Sequence, residues 1–454
     1  EAPEAIGLYF LYSYIPAPHA PYRNMRQLEP GTWLEFDVAH WTERTGRYFD
    51  LRAEAASVQA TPSYGDAVEA LRHSLGQSVK LRLSASDVPV ATFLSGGIDS
   101  SVITVLASQA LQQPLNAYSV GFPDDPDFDE SEYARAVARR LPGLRHEVIP
   151  VREQDLLGFV RDTASVLGEP FADASLIPTA FLCSRVQEKV ILGGDGADEI
   201  FAGYGAYPAL QASQRLPVWL KRLICALPGP ANPAAVRNRR LRAFALFRQH
   251  LGAGPLEEYL SWRQYETPGF LESVGLAPGG RNDVLARLAY LQSGELRDFQ
   301  VADIEFNLPN DMLKKVDYAS MFHSLEVRLP YLDRSLVRSV LALPDAFKIK
   351  GTLRKRILRD AFRELLPPEV LTRGKQGFLL PLRSWFKSGK LRDDLTDLVA
   401  EQTQFDRAVI EALLAEHRIG AKDNSVFLWA LYMYLMWRHR RHSPGLGQPL
   451  VAAP

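Results

Sequence analysis

The segment Phe93-Leu-Ser-Gly-Gly-Ile-Asp-Ser-Ser101 is the strongest local signal in this sequence. It lies between residues 88–94, whose apolar pattern predicts a short strand, and residues 100–112, whose pattern predicts a helix. Two adjacent glycines let the backbone turn tightly and approach a ligand closely. Backbone N–H groups at the helix start, together with the serine hydroxyls, form a nest for phosphate oxygens. The stretch therefore predicts a phosphate-binding strand–loop–helix unit.

The loop differs from the common phosphate-binding pattern GxxxxGK[ST], because it has no lysine and a different spacing. Asp99 adds a negative charge where a bare phosphate cradle would repel it, unless the carboxylate holds Mg²⁺. This indicates a loop that grips pyrophosphate through a metal ion, as cleavage between the α- and β-phosphates of a nucleotide requires. The alternative is an ordinary Gly-Ser turn in which Asp99 only caps the helix.

A second motif, Leu192-Gly-Gly-Asp-Gly-Ala-Asp-Glu-Ile-Phe-Ala-Gly-Tyr204, directly follows another predicted strand at residues 189–192. Its carboxylates Asp195, Asp198 and Glu199 fall within five positions, and such crowding raises a pKa or demands a cation. We expect Asp198 to complete a Mg²⁺ site with Asp99, which leaves Asp195 to act as a base. The alternative for this motif alone is a helix N-terminus stabilised by acidic residues.

Strand and helix patterns alternate through this part of the chain. Predicted strands at 88–94, 117–122, 146–149 and 189–192 alternate with predicted helices at 100–112, 130–141 and 154–167, after a first helix at 64–83. This rhythm predicts an α/β fold with a doubly wound parallel sheet, covered by helices on both faces. Ligands of such sheets bind beyond the carboxyl ends of the strands, where both motifs lie. Residues 1–51 are expected to be irregular, and helices are expected beyond about residue 208.

The composition excludes several classes of protein. Lys+Arg total 52 against 53 for Asp+Glu, so no global field favours nucleic acid, and the basic stretch 237–248 is interpreted as a solvated helix face. Cys183 and Cys225 provide neither a disulfide framework nor a zinc site, which suits a reducing cytosol, and Cys183 is expected in the core. No apolar run approaches the roughly 20 residues that span a bilayer, and no signal peptide is expected. We therefore predict a cytoplasmic protein without membrane or nucleic-acid partners.

Together the two motifs resemble those of the glutamine-hydrolysing asparagine synthetases, whose synthetase portion carries a Ser-Gly-Gly-x-Asp-Ser pyrophosphate loop. The resemblance covers nearly everything from Tyr12 onward. Further matching segments are Ser13-Tyr-Ile-Pro-Ala-Pro18, Leu28-Glu-Pro-Gly31, Ser119-Val-Gly-Phe122, Glu169-Pro-Phe-Ala-Asp-Ala-Ser175, Leu308-Pro-Asn-Asp-Met-Leu313, Ser324-Leu-Glu-Val-Arg-Leu-Pro-Tyr-Leu-Asp333, Arg373-Gly-Lys-Gln-Gly-Phe378 and Leu428-Trp429. The resemblance implies a sheet of the PP-loop ATPase (adenine-nucleotide alpha-hydrolase-like) type with a mainly helical C-terminal half.

The resemblance also implies an activity, that of an AMP-forming carbon–nitrogen ligase of asparagine biosynthesis that uses ATP and Mg²⁺. The side-chain carboxylate of aspartate would attack the α-phosphate of ATP to give β-aspartyl-AMP and pyrophosphate, and ammonia would then displace AMP to give asparagine. The residues implied for ATP and pyrophosphate are Leu94, Ser95, Gly96, Gly97, Asp99, Ser100, Ser101, Val120, Gly121 and Gly194.

The resemblance assigns the remaining roles to five residues. Asp99 and Asp198 would bind Mg²⁺, and Asp195 would take a proton from the attacking ammonia. Lys375 would offset charge at the phosphate and the tetrahedral intermediate. Glu326 is expected to line the acyl-substrate pocket with its neighbour Arg328, the alternative being a buried salt-bridged pair.

Domain organisation follows from the same resemblance. The family's glutaminase half begins with a cysteine nucleophile, whereas residue 1 here is Glu, so this chain is not expected to hydrolyse glutamine. Ammonia would come from a missing N-terminal glutaminase domain, which we favour, from a partner glutaminase subunit, or from solution, and a homodimer is among the expected assemblies. The expected units are an interdomain segment at 1–60, the ATP-pyrophosphate core at 61–208, a helical insertion at 209–300, the helical remainder at 301–442 and a disordered tail at 443–454.

Two alternatives stay open. Relatives that form amides, lactams or macrolactams in specialised metabolism share the pyrophosphate loop and act on other carboxylic acids. β-Lactam synthetases carry a tyrosine at the position matched by Asp195, so Asp195 favours ammonia as the nucleophile. A non-catalytic member would keep the fold, but the intact carboxylates argue against it, because like charges without a cation destabilise a fold.

Overall fold

The structure is a computed structural model and describes residues 1–56, 62–111, 113–123, 129–227, 238–372, 380–388, 390–402 and 404–442. Within these residues the strands form two sheets. An antiparallel hairpin pairs β1 (Thr32–Asp37) with β2 (Thr42–Arg47). A parallel sheet contains β3 (Val90–Phe93), β4 (Leu115–Gly121), β5 (Leu144–Pro150), β6 (Val190–Leu192) and β7 (Glu326–Arg328).

The strand order of the parallel sheet is β5-β4-β3-β6-β7. The chain moves outward from β3 through β4 to β5 and then returns to place β6 on the other side of β3. A crevice opens at the carboxyl ends of the strands where such an order reverses, here between β3 and β6. Both predicted motifs follow these two strands directly.

Helices make up most of the rest of the described chain. Those in the N-terminal half are α1 (Pro3–Tyr12), α2 (Leu51–Ala56), α3 (Tyr64–Ser84), α4 (Ile98–Ala110), α5 (Ser131–Ala138), α6 (Glu153–Val166), α7 (Leu176–Cys183), α8 (Ala197–Ile200), α9 (Ala206–Gln214) and α10 (Val218–Ala226). Those in the C-terminal half are α11 (Arg239–Gln249), α12 (Pro255–Arg263), α13 (Pro268–Ser273), α14 (Arg281–Arg287), α15 (Leu296–Ala302), α16 (Leu313–Met321), α17 (Arg334–Leu341), α18 (Asp345–Lys348), α19 (Arg356–Phe362), α20 (Pro368–Thr372), α21 (Leu382–Ser388), α22 (Lys390–Ala400), α23 (Arg407–Ile419) and α24 (Ser425–His442). Short 3₁₀ segments at Ala289–Ser293 and Pro330–Leu332 and a π-helical segment at Asp303–Met312 complete them.

The parallel sheet is buried on both faces, as its rhythm predicts. Successive side chains of a strand point to opposite faces. Along β4, Ala117 packs into one core with α3 and α4, whereas Tyr118 packs into the other with α6 and α7. Along β6, Ile191 packs into the same core as Tyr118, and Leu192 packs into the same core as Ala117. The predicted α/β fold with a helical C-terminal half is therefore confirmed, and Cys183 is buried as expected.

The structure corrects the expectation that residues 1–51 are irregular. α1 is a ten-residue helix whose side chains are buried from Ala5 to Tyr12. It packs in the helical half of the molecule, where the Tyr9 hydroxyl donates a hydrogen bond to the Ala430 carbonyl oxygen of α24 at 2.7 Å. Because α1 is apolar on all sides, it has no amphipathic period, and the sequence pattern therefore does not reveal it.

The sequence pattern also misses β7. This strand has only three residues, and it pairs in parallel with β6 from Val190↔Glu326 to Leu192↔Arg328. So short a segment carries too little alternation to predict a strand. The predicted tail at 443–454 lies outside the described residues. Among the described residues, no helix is both long and apolar enough to cross a membrane.

Candidate active site

The two motif loops lie side by side at the carboxyl end of the parallel sheet. β3 and β6 pair in parallel with Thr92 opposite Leu192, so the loops that follow them leave the sheet together. The backbone of Gly194 lies against the start of α4, because a Cβ added there would be 3.0 Å from the backbone nitrogen of Ser100. The glycine thus allows the acidic loop to touch the helix that carries Asp99.

The first loop is held by its own hydroxyl groups. The Ser95 backbone nitrogen donates to the Ser100 Oγ at 3.1 Å, and the two serine hydroxyls share a hydrogen bond of 3.0 Å. Gly96 has a φ of +72°, and a Cβ there would lie 2.5 Å from the Cβ of Tyr133 on α5, so glycine is required for both reasons. Since these constraints fix the loop without a ligand, its donors are preorganised for an anion.

A lysine that sequence reasoning missed joins the two predicted Mg²⁺ carboxylates. The Nζ atom of Lys355 lies 2.6 Å from an Asp99 carboxylate oxygen and 2.7 Å from an Asp198 carboxylate oxygen. Its side chain is only 6% exposed. Burial by itself would lower the pKa of Lys355, but the carboxylates of Asp198 and Asp99 outweigh it and raise the pKa above its ordinary value. Lys355 is therefore a fixed positive charge between the two carboxylates.

A cavity of about 430 Å³ opens beside these three side chains. Its apolar lining comes from Phe93, Leu94, Tyr118, Val120, Phe122, Leu182, Met312 and Val316. Its charged lining comes from the acidic residues Asp99, Glu130, Asp173, Asp195, Asp198 and Glu199 and from Lys315. Apolar walls suit a flat nucleoside, and carboxylates beside them suit a metal ion that is bound with it.

Most of the predicted nucleotide-binding residues meet at this cavity. It is lined by Leu94, Ser95, Asp99, Ser100, Val120 and Gly194, together with the predicted Asp195 and Asp198. Gly96, Gly97 and Gly121 shape the adjoining backbone and are not among its lining residues. Ser101 is buried, with 0% exposure, and is not among the lining residues. Lys375 lies outside the described residues.

Glu326 is not brought to the cavity, which corrects the prediction that it lines the acyl-substrate pocket. It pairs with Val190, the first residue of β6, so it lies at the amino ends of the parallel strands, whereas the cavity lies at their carboxyl ends. Its side chain is 58% exposed and accepts a hydrogen bond from Arg328 at 2.8 Å. The alternative was a buried salt-bridged pair, and the structure shows the salt bridge but not the burial of Glu326.

One wall of the cavity carries a second group of buried charges. Lys315 on α16 lies with its Nζ atom 3.3 Å from an Asp173 carboxylate oxygen. Burial would raise the pKa of Asp173, but Lys315 and Ser175 hold it below its ordinary value. Asp311, buried nearby, has a pKa raised well above its ordinary value by burial and by Asp173. It belongs to the π-helical segment, a distortion frequent at functional sites.

Glu199 has a carboxyl group that titrates near neutrality. Burial and the negative charge of Asp198 raise its pKa to about 7, although the Tyr204 hydroxyl donates to it at 2.6 Å and opposes the shift. The crowding of carboxylates in this motif therefore has the effect that the sequence predicts.

The carboxylates of the cavity include two that suit a nucleotide-bound Mg²⁺ ion. In the described part of the chain, no group of three or more His, Cys, Asp or Glu residues has metal-site geometry. Mg²⁺ in nucleotide enzymes is usually held by one or two carboxylates and by phosphate oxygens of the substrate. Asp99 and Asp198 converge on a single cation, the Lys355 ammonium, so they fit a Mg²⁺ ion that arrives with a nucleotide.

The amino-acid sequence is similar to those of asparagine synthetases. The asparagine synthase family profile matches residues 70–439. A protein of Mycobacterium tuberculosis H37Rv named putative glutamine-hydrolysing asparagine synthetase is 30% identical over 450 residues, which cover 95% of this chain and 67% of the relative. The glutamine-hydrolysing asparagine synthetase 1 of Bacillus subtilis is 28% identical over 96% of this chain and 68% of its own length. The amidase chry2 of Gibberella zeae is 24% identical over 84% of this chain and 62% of its own length.

Proposed function

Because the chain belongs to the asparagine synthase family, whose members are ATP-dependent amide-forming ligases, we propose that it converts aspartate, ATP and ammonia into asparagine, AMP and pyrophosphate. The observation that carries the proposal is the cavity in which Asp99 and Asp198 converge on Lys355 beside Lys315 and Asp173. This arrangement offers a phosphate-binding loop, a candidate Mg²⁺ site and a charged amino-acid site within one enclosure.

The phosphate side of the reaction is supported by the first loop. Ser95, Ser100 and the N-terminus of α4 would bind the β- and γ-phosphates, and the apolar wall at Leu94 and Val120 would bind the adenosine. Asp99 and Asp198 would hold Mg²⁺, which when bound would neutralise charge on the departing pyrophosphate. Lys355 adds a fixed positive charge at the same place. We propose a similar electrostatic role for Lys375.

The amino-acid side is supported by the pairing of Lys315 with Asp173. We propose that Lys315 binds the α-carboxylate of aspartate and that Asp173 binds its α-ammonium group, with Asp311 behind them. The side-chain carboxylate would then be free to attack the α-phosphate, so that a new C–O–P bond forms and the α–β phosphoanhydride breaks. This displacement of pyrophosphate gives an acyl-adenylate, which is activated for the second step because AMP is a far better leaving group than oxide.

In the second step the ammonia nitrogen attacks the acyl carbon, and the C–O bond to AMP breaks. We propose that Asp195 accepts the proton that the attacking nitrogen loses. Ammonia would come from a glutaminase domain, a partner subunit or solution.

We also propose the domain organisation given above. Its units are residues 1–60, 61–208, 209–300, 301–442 and 443–454.

Product analysis tests the proposal directly. The chain is incubated with MgATP, aspartate and ammonium, and the products are identified by mass spectrometry, with glutamine replacing ammonium in a parallel reaction. We expect asparagine, AMP and pyrophosphate with ammonium. Release of AMP with another carboxylic acid but not with aspartate would replace the proposed substrate, and an absence of AMP with every acid would contradict the ligase proposal.

Two analogues of aspartate test the amino-acid site. Succinate lacks the ammonium group that we assign to Asp173, and β-alanine lacks the α-carboxylate that we assign to Lys315. We expect each analogue to support ATP–pyrophosphate exchange at least about 10²-fold less efficiently than aspartate, since each loses one of the two charge-assisted contacts that we assign to the amino-acid site. Asp173→Asn should reduce the ratio of exchange efficiencies between aspartate and succinate. It should leave the ratio between aspartate and β-alanine unchanged. Equal use of succinate and aspartate by the wild type would contradict this assignment.

Asp195→Asn separates the two half-reactions. The asparagine side chain keeps the shape of Asp195 but cannot accept a proton, so asparagine formation should fall by about 10²-fold or more. Aspartate-dependent ATP–pyrophosphate exchange should stay within about threefold of wild type, because the variant leaves the adenylation groups in place. Equal loss of both activities would assign Asp195 to adenylation instead.

A further inference from the structure

The acidic loop carries its metal-site carboxylate on a helix of a single turn. α8 contains only Ala197–Ile200, yet it presents Asp198 and Glu199 to the cavity. One turn of helix has almost no stability of its own, because most of its backbone groups lack partners within the turn. Its position must therefore be set by other parts of the fold.

Gln300, on α15, makes hydrogen bonds that position α8. Its side-chain nitrogen donates to the carbonyl oxygens of Glu199 and Ile200 at 2.7 and 2.8 Å. Its side-chain oxygen accepts from the Nζ atom of Lys348 at 3.0 Å. Since a lysine ammonium can only donate and a carbonyl can only accept, these partners fix which end of the amide faces α8.

Lys348, which donates to the amide oxygen of Gln300, is unusual because it is a fully buried lysine. It lies at the end of α18 with 0% exposure, and its second hydrogen bond, of 3.1 Å, goes to the Leu341 carbonyl oxygen of α17. Both acceptors are neutral, although a buried ammonium is costly without a negative partner. Burial lowers the pKa of Lys348 to about 8, with Asp345 opposing the shift and Arg297 adding to it. A methionine would avoid the burial of an ammonium group, but it would leave the Gln300 and Leu341 oxygens without this donor.

We propose that Lys348, acting through Gln300, is a positioning residue that holds α8 so that Asp198 stays opposite Asp99 at the candidate Mg²⁺ site. The ammonium polarises the Gln300 amide and strengthens its two hydrogen bonds to the carbonyl end of α8. Its positive charge also lies against the carbonyl oxygen of Leu341, the last residue of α17, and this is the end of a helix at which the peptide dipoles favour a cation. The inference rests on the proposed binding of MgATP and is independent of the acyl substrate.

Calorimetric titration with MgATP, without aspartate, measures the effect directly. We expect Lys348→Met to raise the dissociation constant by about 10-fold or more, the range found for residues that orient metal ligands. Lys348→Arg keeps the charge and should recover most of the affinity. Gln300→Glu gives Lys348 a carboxylate partner but removes both donors to α8, so it should keep the fold and still lose affinity. If Lys348→Met does not fold, the affinity of Gln300→Glu for MgATP tests the inference in its place.

Lys221→Met is the matched control. Lys221 is also buried, and its Nζ atom lies 2.7 Å from a carboxylate oxygen of the buried Glu258, but it is not among the described residues that line the cavity. The control should lower the thermal unfolding temperature and leave the affinity for MgATP unchanged. The inference would be overturned if Gln300→Glu bound MgATP as tightly as wild type, or if Lys221→Met lost as much affinity as Lys348→Met. A wild-type chain that bound no MgATP would remove the proposed function and the inference together.

Discussion

Asp198→Asn is expected to reduce aspartate-dependent ATP–pyrophosphate exchange by about 10³-fold, the effect of removing a charge that stabilises a transition state. Asp198 and Asp99 are the two carboxylates that converge on Lys355, and the candidate Mg²⁺ site needs both. The amide still accepts a hydrogen bond from Lys355 but carries no charge for the metal ion. The rate should be measured over a range of Mg²⁺ concentrations, because a weakened site is partly rescued by excess metal.

The fold should survive this change, which separates it from general damage. Asparagine has nearly the volume of aspartate, and it removes the negative charge of Asp198 that adds to the effect of burial in raising the pKa of Glu199 to about 7. The change also removes one of the two carboxylates that pair with the buried Lys355, so the unfolding temperature should fall modestly while the fold is retained. Glu132→Gln removes an exposed carboxylate of α5 and should leave the rate within about twofold of wild type. Exchange by Asp198→Asn at more than a tenth of the wild-type rate would exclude Asp198 as a metal ligand.

Gly203→Ala is expected to reduce kcat/KM for MgATP by about 10²-fold while changing stability much less. A Cβ at Gly203 would overlap both an Asp198 carboxylate oxygen and the Cε atom of Lys355. Both atoms belong to side chains that can move aside, so the backbone need not distort. The movement would, however, separate the Asp198 carboxylate from the Lys355 ammonium. A displacement of about 1 Å in such a group costs about 10²-fold in rate.

Gly205→Ala is the matched control for this prediction. It adds the same methyl group two residues later, where the nearest atom is an Arg354 side-chain nitrogen at 3.8 Å. We expect activity within about twofold of wild type and equal or slightly greater stability, because alanine restricts the unfolded chain more than glycine does. If both variants lost activity equally, the effect would come from the loop backbone and not from the contact of Asp198 with Lys355.

The sequence predicts the meeting of Asp99 and Asp198 for a simple physical reason. Parallel strands end at the same edge of their sheet, so loops that follow two adjacent strands must lie together. Lys355 obeys no such rule: it is 256 positions from Asp99, within a run of basic residues that indicates only a solvated surface. Glu326 shows the opposite error, because its motif is present but the register of β7 places it at the wrong end of the strand.

Buried contacts between distant segments were the least predictable part of the fold. α1 is absent from the sequence interpretation, and Gln300 and Lys348 give no local signal, because their partners are backbone carbonyls chosen by packing. Hydrophobic period reports the environment of a helix only when one of its faces is polar. A helix buried on all sides, or a lysine that replaces an apolar residue in the core, therefore escapes it.

The hydrogen bond from Tyr9 to Ala430 joins residues 421 positions apart, and it has a consequence for synthesis on the ribosome. At translation rates of roughly 5–20 residues per second, about 20–80 s separate the emergence of α1 from that of its partner α24. During that interval α1 is an apolar helix without its burial site, while the sheet of the nucleotide core can already assemble. Nascent chains of this protein should therefore depend on chaperone protection of α1 until α24 closes over it.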